Sequence, residues 1–238
     1  MVAAQQMKSF IENYYPGSMV SFEGSILIPS DLDVFSDVDM KITLSKNTPV
    51  NMKELITALS ERFNNIFGYE IHNNSDADVL RVCFENGWRF DLTFIRPGPQ
   101  APQTEQPSFF DNIDATMNLF WFLSSMVLVK LGRKDYLIAA HLALELCQLN
   151  IVMQMLARDE DKKTHIHRFG DSEDVPVLYA LTSLNSRRDR INNGKDEILK
   201  ILFLSAEHMD KITASIKPGY IFRLAKLNDL YKSLNSPV

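Results

Sequence analysis

The sequence predicts an α+β fold, a small mixed sheet backed by helices and followed by a helical bundle. Three observations carry this. Val38, Met40, Ile42 and Leu44 alternate with Asp37, Asp39, Lys41 and Thr43, the period of a half-buried strand. Apolar stripes at helical spacing flank that strand on either side. Past the proline-rich stretch 96–108, RPGPQAPQTEQPS, every segment reads as helix. The expected division is therefore an α+β domain at 1–108 and a helical domain at 109–238.

In order, Met7, Phe10, Ile11 and Tyr14 predict a helix that Pro16 and Gly17 terminate, and residues 19–23 form the first strand. After the Asp37 strand, Asn51 is a good N-cap with Glu54 at capping-box spacing. Leu55, Ala58, Leu59 and Phe63 make the stripe of that helix, and Gly68 is expected to close it. Residues 69–72 read as a short strand and 73–78 as a polar loop. A hairpin follows, with Leu80, Val82 and Phe84 on one arm and Trp88, Phe90, Leu92 and Phe94 on the other. A two-residue Asn86-Gly87 loop would place these sets on opposite faces. A three-residue loop, Glu85-Asn86-Gly87 with Gly87 left-handed, places them on one. That register puts Arg81, Cys83, Arg89, Asp91 and Thr93 on the polar face. Helices are expected at 112–131, 134–158, 175–184, 194–211 and 218–234, with a charged loop at 159–174.

Composition narrows the class. At 238 residues, with 45% hydrophobic and 23% charged residues, the chain can bury a substantial core. The long apolar run at 115–131 is short for a membrane span and carries Asn118, Ser124 and Ser125. The start of the chain lacks the charge pattern of a secretory signal, and Cys83 and Cys147 have no paired spacing. A reducing, cytoplasmic setting and no membrane partner are the expectation. A net charge of −5 argues against a nucleic-acid partner, and the Arg187-Arg188-Asp189-Arg190 cluster is short and interrupted. A cationic small molecule suits this charge better.

The chemistry concentrates in GSILIPSDLDVFSDVDM, residues 24–40. On one strand, Asp37 and Asp39 leave the same face with Cα atoms ~6.5 to 7 Å apart. Brought to ~4 Å, two such charges repel by ~4 kcal/mol at an effective dielectric of 20, so a cation belongs between them. Magnesium fits, since hard cations take carboxylate oxygens and leave positions for phosphate oxygens. Gly24, at a strand end, lets a backbone approach a ligand, and Ser25 offers a hydroxyl and an amide to phosphate. Asp31 and Asp33 suit turn or capping roles. Asp91 is either a third carboxylate of this site or the ion-pair partner of Arg81 or Arg89. Lys130, Arg133 and Lys134 either complement a helix C-terminus or clamp a triphosphate. His141, Glu145 and Gln148 form one polar stripe: a buried His141 and Glu145 pair, or a lining in which Glu145 accepts a hydroxyl proton or binds an ammonium group. His165 and His167 lack a third ligand at zinc-like spacing and read as loop residues.

The Gly24-Ser25 strand end followed by Ser36-Asp37-Val38-Asp39-Met40 resembles the signature of the DNA polymerase beta-like nucleotidyltransferases. With Glu85-Asn86-Gly87-Trp88-Arg89-Phe90-Asp91-Leu92-Thr93-Phe94-Ile95 added, it is similar to the aminoglycoside 6-adenylyltransferases, the streptomycin-modifying branch. Asn118-Leu119-Phe120-Trp121, running through Lys130 and Arg133 to Ala139-Ala140-His141-Leu142, resembles the start of that branch's helical domain. The likeness spans residues 24–156. It implies transfer of AMP from ATP, the co-substrate, to a hydroxyl of an aminoglycoside, with pyrophosphate released. It further implies two magnesium ions held by Asp37 and Asp39, with Asp91 on the one that activates the attacking oxygen. Gly24, Ser25, Lys130 and Arg133 would hold the nucleotide's phosphates, and the helical domain would bind the acceptor, with Glu145 beside it. A lincosamide or other small-molecule nucleotidyltransferase and a catalytically silent nucleotide-binding module are the rivals. A homodimer is compatible with the chain.

Overall fold

A computed structural model describes residues 2–28, 33–45, 48–73, 77–96, 112–163 and 194–235. The chain forms two compact units, Met1–Gln106 and Pro107–Val238. The fold is α+β: a five-stranded mixed sheet with its helices, and a helical C-terminal region.

In the first unit, α1 (Val2–Tyr14) precedes β1 (Met19–Glu23), and a single 3₁₀ turn (Gly24–Leu27) follows directly. Then come β2 (Val38–Thr43), α2 (Met52–Phe63), β3 (Ile66–Asn73), β4 (Ala77–Phe84) and β5 (Arg89–Ile95). The strands lie in the order β1-β2-β5-β4-β3, with β2 and β5 parallel and the other pairs antiparallel. The parallel pair matters most. It brings the start of β2 beside the start of β5, two segments far apart in sequence.

The β4–β5 hairpin has the three-residue loop that matching of apolar faces requires. Val82 pairs with Phe90 and Leu80 with Leu92, while the Phe84 amide donates to the Trp88 carbonyl at 2.8 Å. Gly87 takes φ +85°, and Asn86 Oδ1 accepts from the Trp88 amide at 3.0 Å. Both apolar sets therefore face one core with Met7, Ile11, Met40, Ile42, Leu55, Leu59 and Phe63. Trp88, at the hairpin end, stays exposed.

Asn51 caps α2 through its side chain, accepting from the Glu54 amide at 3.3 Å. Gly68 does not close that helix. Asn64 does, at φ +79° and ψ 167°, a strained setting for any residue with a side chain, and Gly68 lies within β3, which is longer than residues 69–72 suggested.

The second unit contains α3 (Ile113–Gly132), α4 (Tyr136–Lys162), α5 (Gly194–Ile216) and α6 (Leu224–Asn235). By length and composition both α3 and α4 could cross a membrane. So α4, expected as a helix at 134–158, matches the run at 115–131 in apolar length. Most of α3 is buried, Phe120 and Trp121 among its residues. The last helix starts at Leu224 rather than near Pro218, because buried Asp210 holds its first turn. The Asp210 carboxylate accepts from the Arg223 and Leu224 amides at 3.0 and 2.9 Å, and from Tyr220 Oη at 2.7 Å. The expected helix at 175–184, the proline-rich stretch beyond Arg96, Asp31, His165, His167 and the 187–190 arginine cluster lie outside the described residues.

Candidate active site

Strand register builds the site. Glu23 pairs with Asp39, Asp39 with Asp91, Asp91 with Arg81, and Arg81 with Glu70. Directly paired residues share a face, so these five side chains form one charged row across all five strands. The neighbouring row, Phe22, Met40, Leu92, Leu80 and Ile71, faces the core. Alternation thus explains why the sheet carries acids on one side and α1 and α2 on the other.

Asp37 sits one residue before β2 rather than inside it. The chain reaches it through a turn in which Asp33 Oδ1 accepts from the Phe35 amide and from Ser36 Oγ, both at 2.9 Å. This is the turn role expected of Asp33. Buried Arg89 donates to the Phe35 carbonyl, tying that turn to β5. Arg89 therefore positions the segment before Asp37.

Gly24 shows the tightest packing in the site. Its φ is +66°, and a Cβ placed there would collide with Asp39 Oδ2 and lie 3.1 Å from Asp39 Cγ. Only glycine allows both that backbone angle and that approach. Ser25 is half-buried in the 3₁₀ turn, its carbonyl accepting from the Ile28 amide at 3.0 Å.

Electrostatics follow from this crowding. The carboxylates of Asp37 and Asp39 make no hydrogen bond or ion pair to another described residue. Burial raises the Asp39 carboxyl to about 6, and the charges of Asp37 and Asp91 add to it. Burial also raises Asp91, while Arg81 lowers it through its charge and through a 2.8 Å bond from Nε to Asp91 Oδ2. Of the two roles considered for Asp91, the ion pair with Arg81 is formed, and the register sets Asp91 beside Asp39. Arg81 Nη1 is also 3.5 Å from Glu70 Oε2, and His72 Nε2 is 3.0 Å from Glu70 Oε1. Glu23 is exposed and lies 3.9 Å from Lys41 Nζ.

A hard divalent cation suits an oxygen-only donor set with unpaired carboxylates. Asp37 and Asp39 fit it by chemistry, and the close cradle of Gly24 holds one of them. Among the described residues, however, no three His, Cys, Asp or Glu side chains are gathered as a ready metal site. Asp91, engaged by Arg81, is the natural place to look for the difference.

These charges give a pH prediction. An acid whose folded pKa exceeds its unfolded value binds its proton more tightly when folded, so stability falls as pH rises between them. For Asp39 the window runs from the usual value of about 4 to about 6. The loss should be roughly 1–2 kcal/mol after allowance for solvent screening. Comparing melting curves of the natural chain and Asp39→Asn across this range isolates the group. Magnesium should raise the melting temperature more at about pH 7.5 than at about pH 5, since protonated Asp39 offers no charge. Equal shifts at both pH values would contradict this assignment.

The remaining candidates belong to the second unit. Lys130 lies in the last turn of α3 and Arg133 caps its C-terminus, where cations complement the helix dipole. His141 and Gln148 are exposed and Glu145 is half-buried on α4. The buried His141 and Glu145 pair does not form, because this face of α4 is not the one turned to α3 and α5; Ala139, Ala143, Leu146 and Asn150 are buried instead. Sequence reading did not single out Glu23 or Glu70. Counting residues outward from the Asp39 position along each paired strand would have found both. A cavity of about 530 Å³ on the first unit, lined by Val2, Gln6, Phe10 and Arg62, contains none of the row's residues.

No protein-family model matches the chain. No curated protein sequence matches it either. Among solved structures, it is similar to an aminoglycoside 6-adenyltransferase from Bacillus subtilis, at 16% identity and a TM-score of 0.41, over 97% of each chain.

Proposed function

We propose that the chain is a magnesium-dependent nucleotidyltransferase that moves AMP from ATP to a hydroxyl of an aminoglycoside-type molecule and releases pyrophosphate. The observation that carries this is the packing of Gly24 against the unpaired carboxylate of Asp39, with Asp91 alongside on the parallel strand. An unpartnered, half-buried carboxylate next to two others costs free energy unless something cationic joins it. Nucleotidyl transfer depends chiefly on positioning and charge neutralisation, and a carboxylate group of this kind supplies both when loaded.

In this proposal Asp37 and Asp39 hold the divalent ions, two in number, and Asp91 joins them on the side of the attacking hydroxyl. Magnesium bound there would neutralise phosphate charge and make that hydroxyl easier to deprotonate. Gly24 brings backbone without a side chain to the phosphates, and Ser25 adds its hydroxyl. Arg89, through the Phe35 carbonyl, keeps the approach to Asp37 in place. Residues 1–108 would be the nucleotidyltransferase domain and 109–238 the acceptor-binding domain. Lys130 and Arg133 are proposed to contact the nucleotide's phosphates and Glu145 the acceptor, roles that rest on sequence pattern. The net charge of −5 suits a polycationic acceptor such as streptomycin.

The Arg81 to Asp91 bond supports a second possibility, a nucleotide-binding module without turnover, in which Asp91 serves only as an ion-pair partner. The test is pyrophosphate release from Mg-ATP with a panel of aminoglycosides and lincosamides. Release that depends on an aminoglycoside is expected. Dependence on a lincosamide would move the substrate class, and tight ATP binding with no release from any acceptor would favour the silent module.

A further inference from the structure

Within the row Glu23, Asp39, Asp91, Arg81 and Glu70, Arg81 is the single cationic member. Its guanidinium is held from both sides by register: Nε on Asp91 of β5 at 2.8 Å, Nη1 on Glu70 of β3 at 3.5 Å. Its side chain is two-thirds covered. A planar fork held by acids from two adjacent strands is a built contact rather than a passing surface pair.

Resting on the functional assignment above, we propose that Arg81 is the resident counter-ion of the acidic row, one that stabilises the cation-free protein and thereby holds down its affinity for divalent ions. The Asp91 carboxylate lies beside Asp39, half-buried, and within the field of Asp37. Arg81 Nε donates to that carboxylate and places a full positive charge beside it. A divalent ion entering the row meets that same positive charge. It must also compete with Arg81 for Asp91. Arg81 thus acts as a positioning residue, setting the divalent concentration at which the row becomes loaded.

The test uses the full chain, Mn²⁺ and Mg²⁺ as probes, and binding rather than activity as the readout. Arg81→Gln should bind Mn²⁺ on the order of tenfold tighter in a calorimetric titration at low salt, with the gap narrowing as salt rises. It should melt at lower temperature without divalent ions and gain more than the natural chain when they are added. Arg81→Lys, which keeps the charge, should stay within about threefold of the natural affinity. In the natural chain, labelled with ¹⁵N, Mg²⁺ should speed hydrogen exchange at Arg81 Nε, a measurement that needs no folded variant. If the natural chain binds Mn²⁺ and Arg81→Gln binds it equally or more weakly, the counter-ion role is overturned while the functional assignment stands. An Arg81 Nε–H unchanged at saturating Mg²⁺ would overturn it as well. If neither protein binds a divalent ion, both proposals fall.

Discussion

Asp39→Asn is expected to lower nucleotidyl transfer at least ~10³-fold while leaving the folded protein as stable as before, or more so. The two halves have different causes. Activity falls because the amide cannot carry the charge proposed to bind a divalent ion, and Asp39 is the carboxylate that the register sets directly beside Asp91. Stability does not fall because nothing in the fold depends on the charge. The Asp39 carboxylate has no hydrogen-bond or ion-pair partner among the described residues, its Oδ2 lies against Gly24, and burial with two like-charged neighbours raises its pKa to about 6. At neutral pH the ionised form is therefore a local cost. An isosteric neutral amide removes the repulsion without opening a cavity, a gain of about 1 kcal/mol. Pyrophosphate release and a melting curve on the same preparation check both parts. A variant that melts several degrees lower would show Asp39 to be structural, and one with more than a tenth of the activity would remove it from the reaction.

Much of this arrangement was legible in the sequence, for reasons specific to each element. The hairpin could be solved by parity, since one loop length alone puts Leu80 and Val82 on the same face as Phe90 and Leu92. Asn51 announced the start of α2 through a cap whose chemistry is local. The end of that helix was misread because two residues, Asn64 and Gly68, both suit a stop, and tertiary pairing of β3 claimed Gly68. The β2–β5 pairing was harder to see, because a parallel contact leaves no turn to read and depends on the whole sheet. Without it, Glu23 and Glu70 carry no sign of belonging to the row. The α4 stripe was misjudged for a related reason: periodicity finds a polar face but does not say whether another helix covers it. His141 and Gln148 are on the exposed side.

Gly24→Ala is expected to destabilise the chain by about 1–3 kcal/mol and to reduce transfer at least ~10²-fold, the two effects arising from one added methyl group. Part of the cost is backbone: at φ +66° a Cβ is strained whatever surrounds it. The rest is the collision with the Asp39 carboxylate, which must swing aside, and that shift moves the oxygens proposed to receive the cation. A double-mutant cycle separates the parts. In an Asp39→Ala background the partner of the collision is gone, so Gly24→Ala should cost only its backbone strain, and the difference between the two backgrounds measures the contact. Denaturant unfolding of the four proteins gives that coupling directly. If Gly24→Ala cost the same with and without the Asp39 carboxylate, the glycine would be serving the turn after β1 alone. The close cradle of the proposed divalent site would then have no energetic basis.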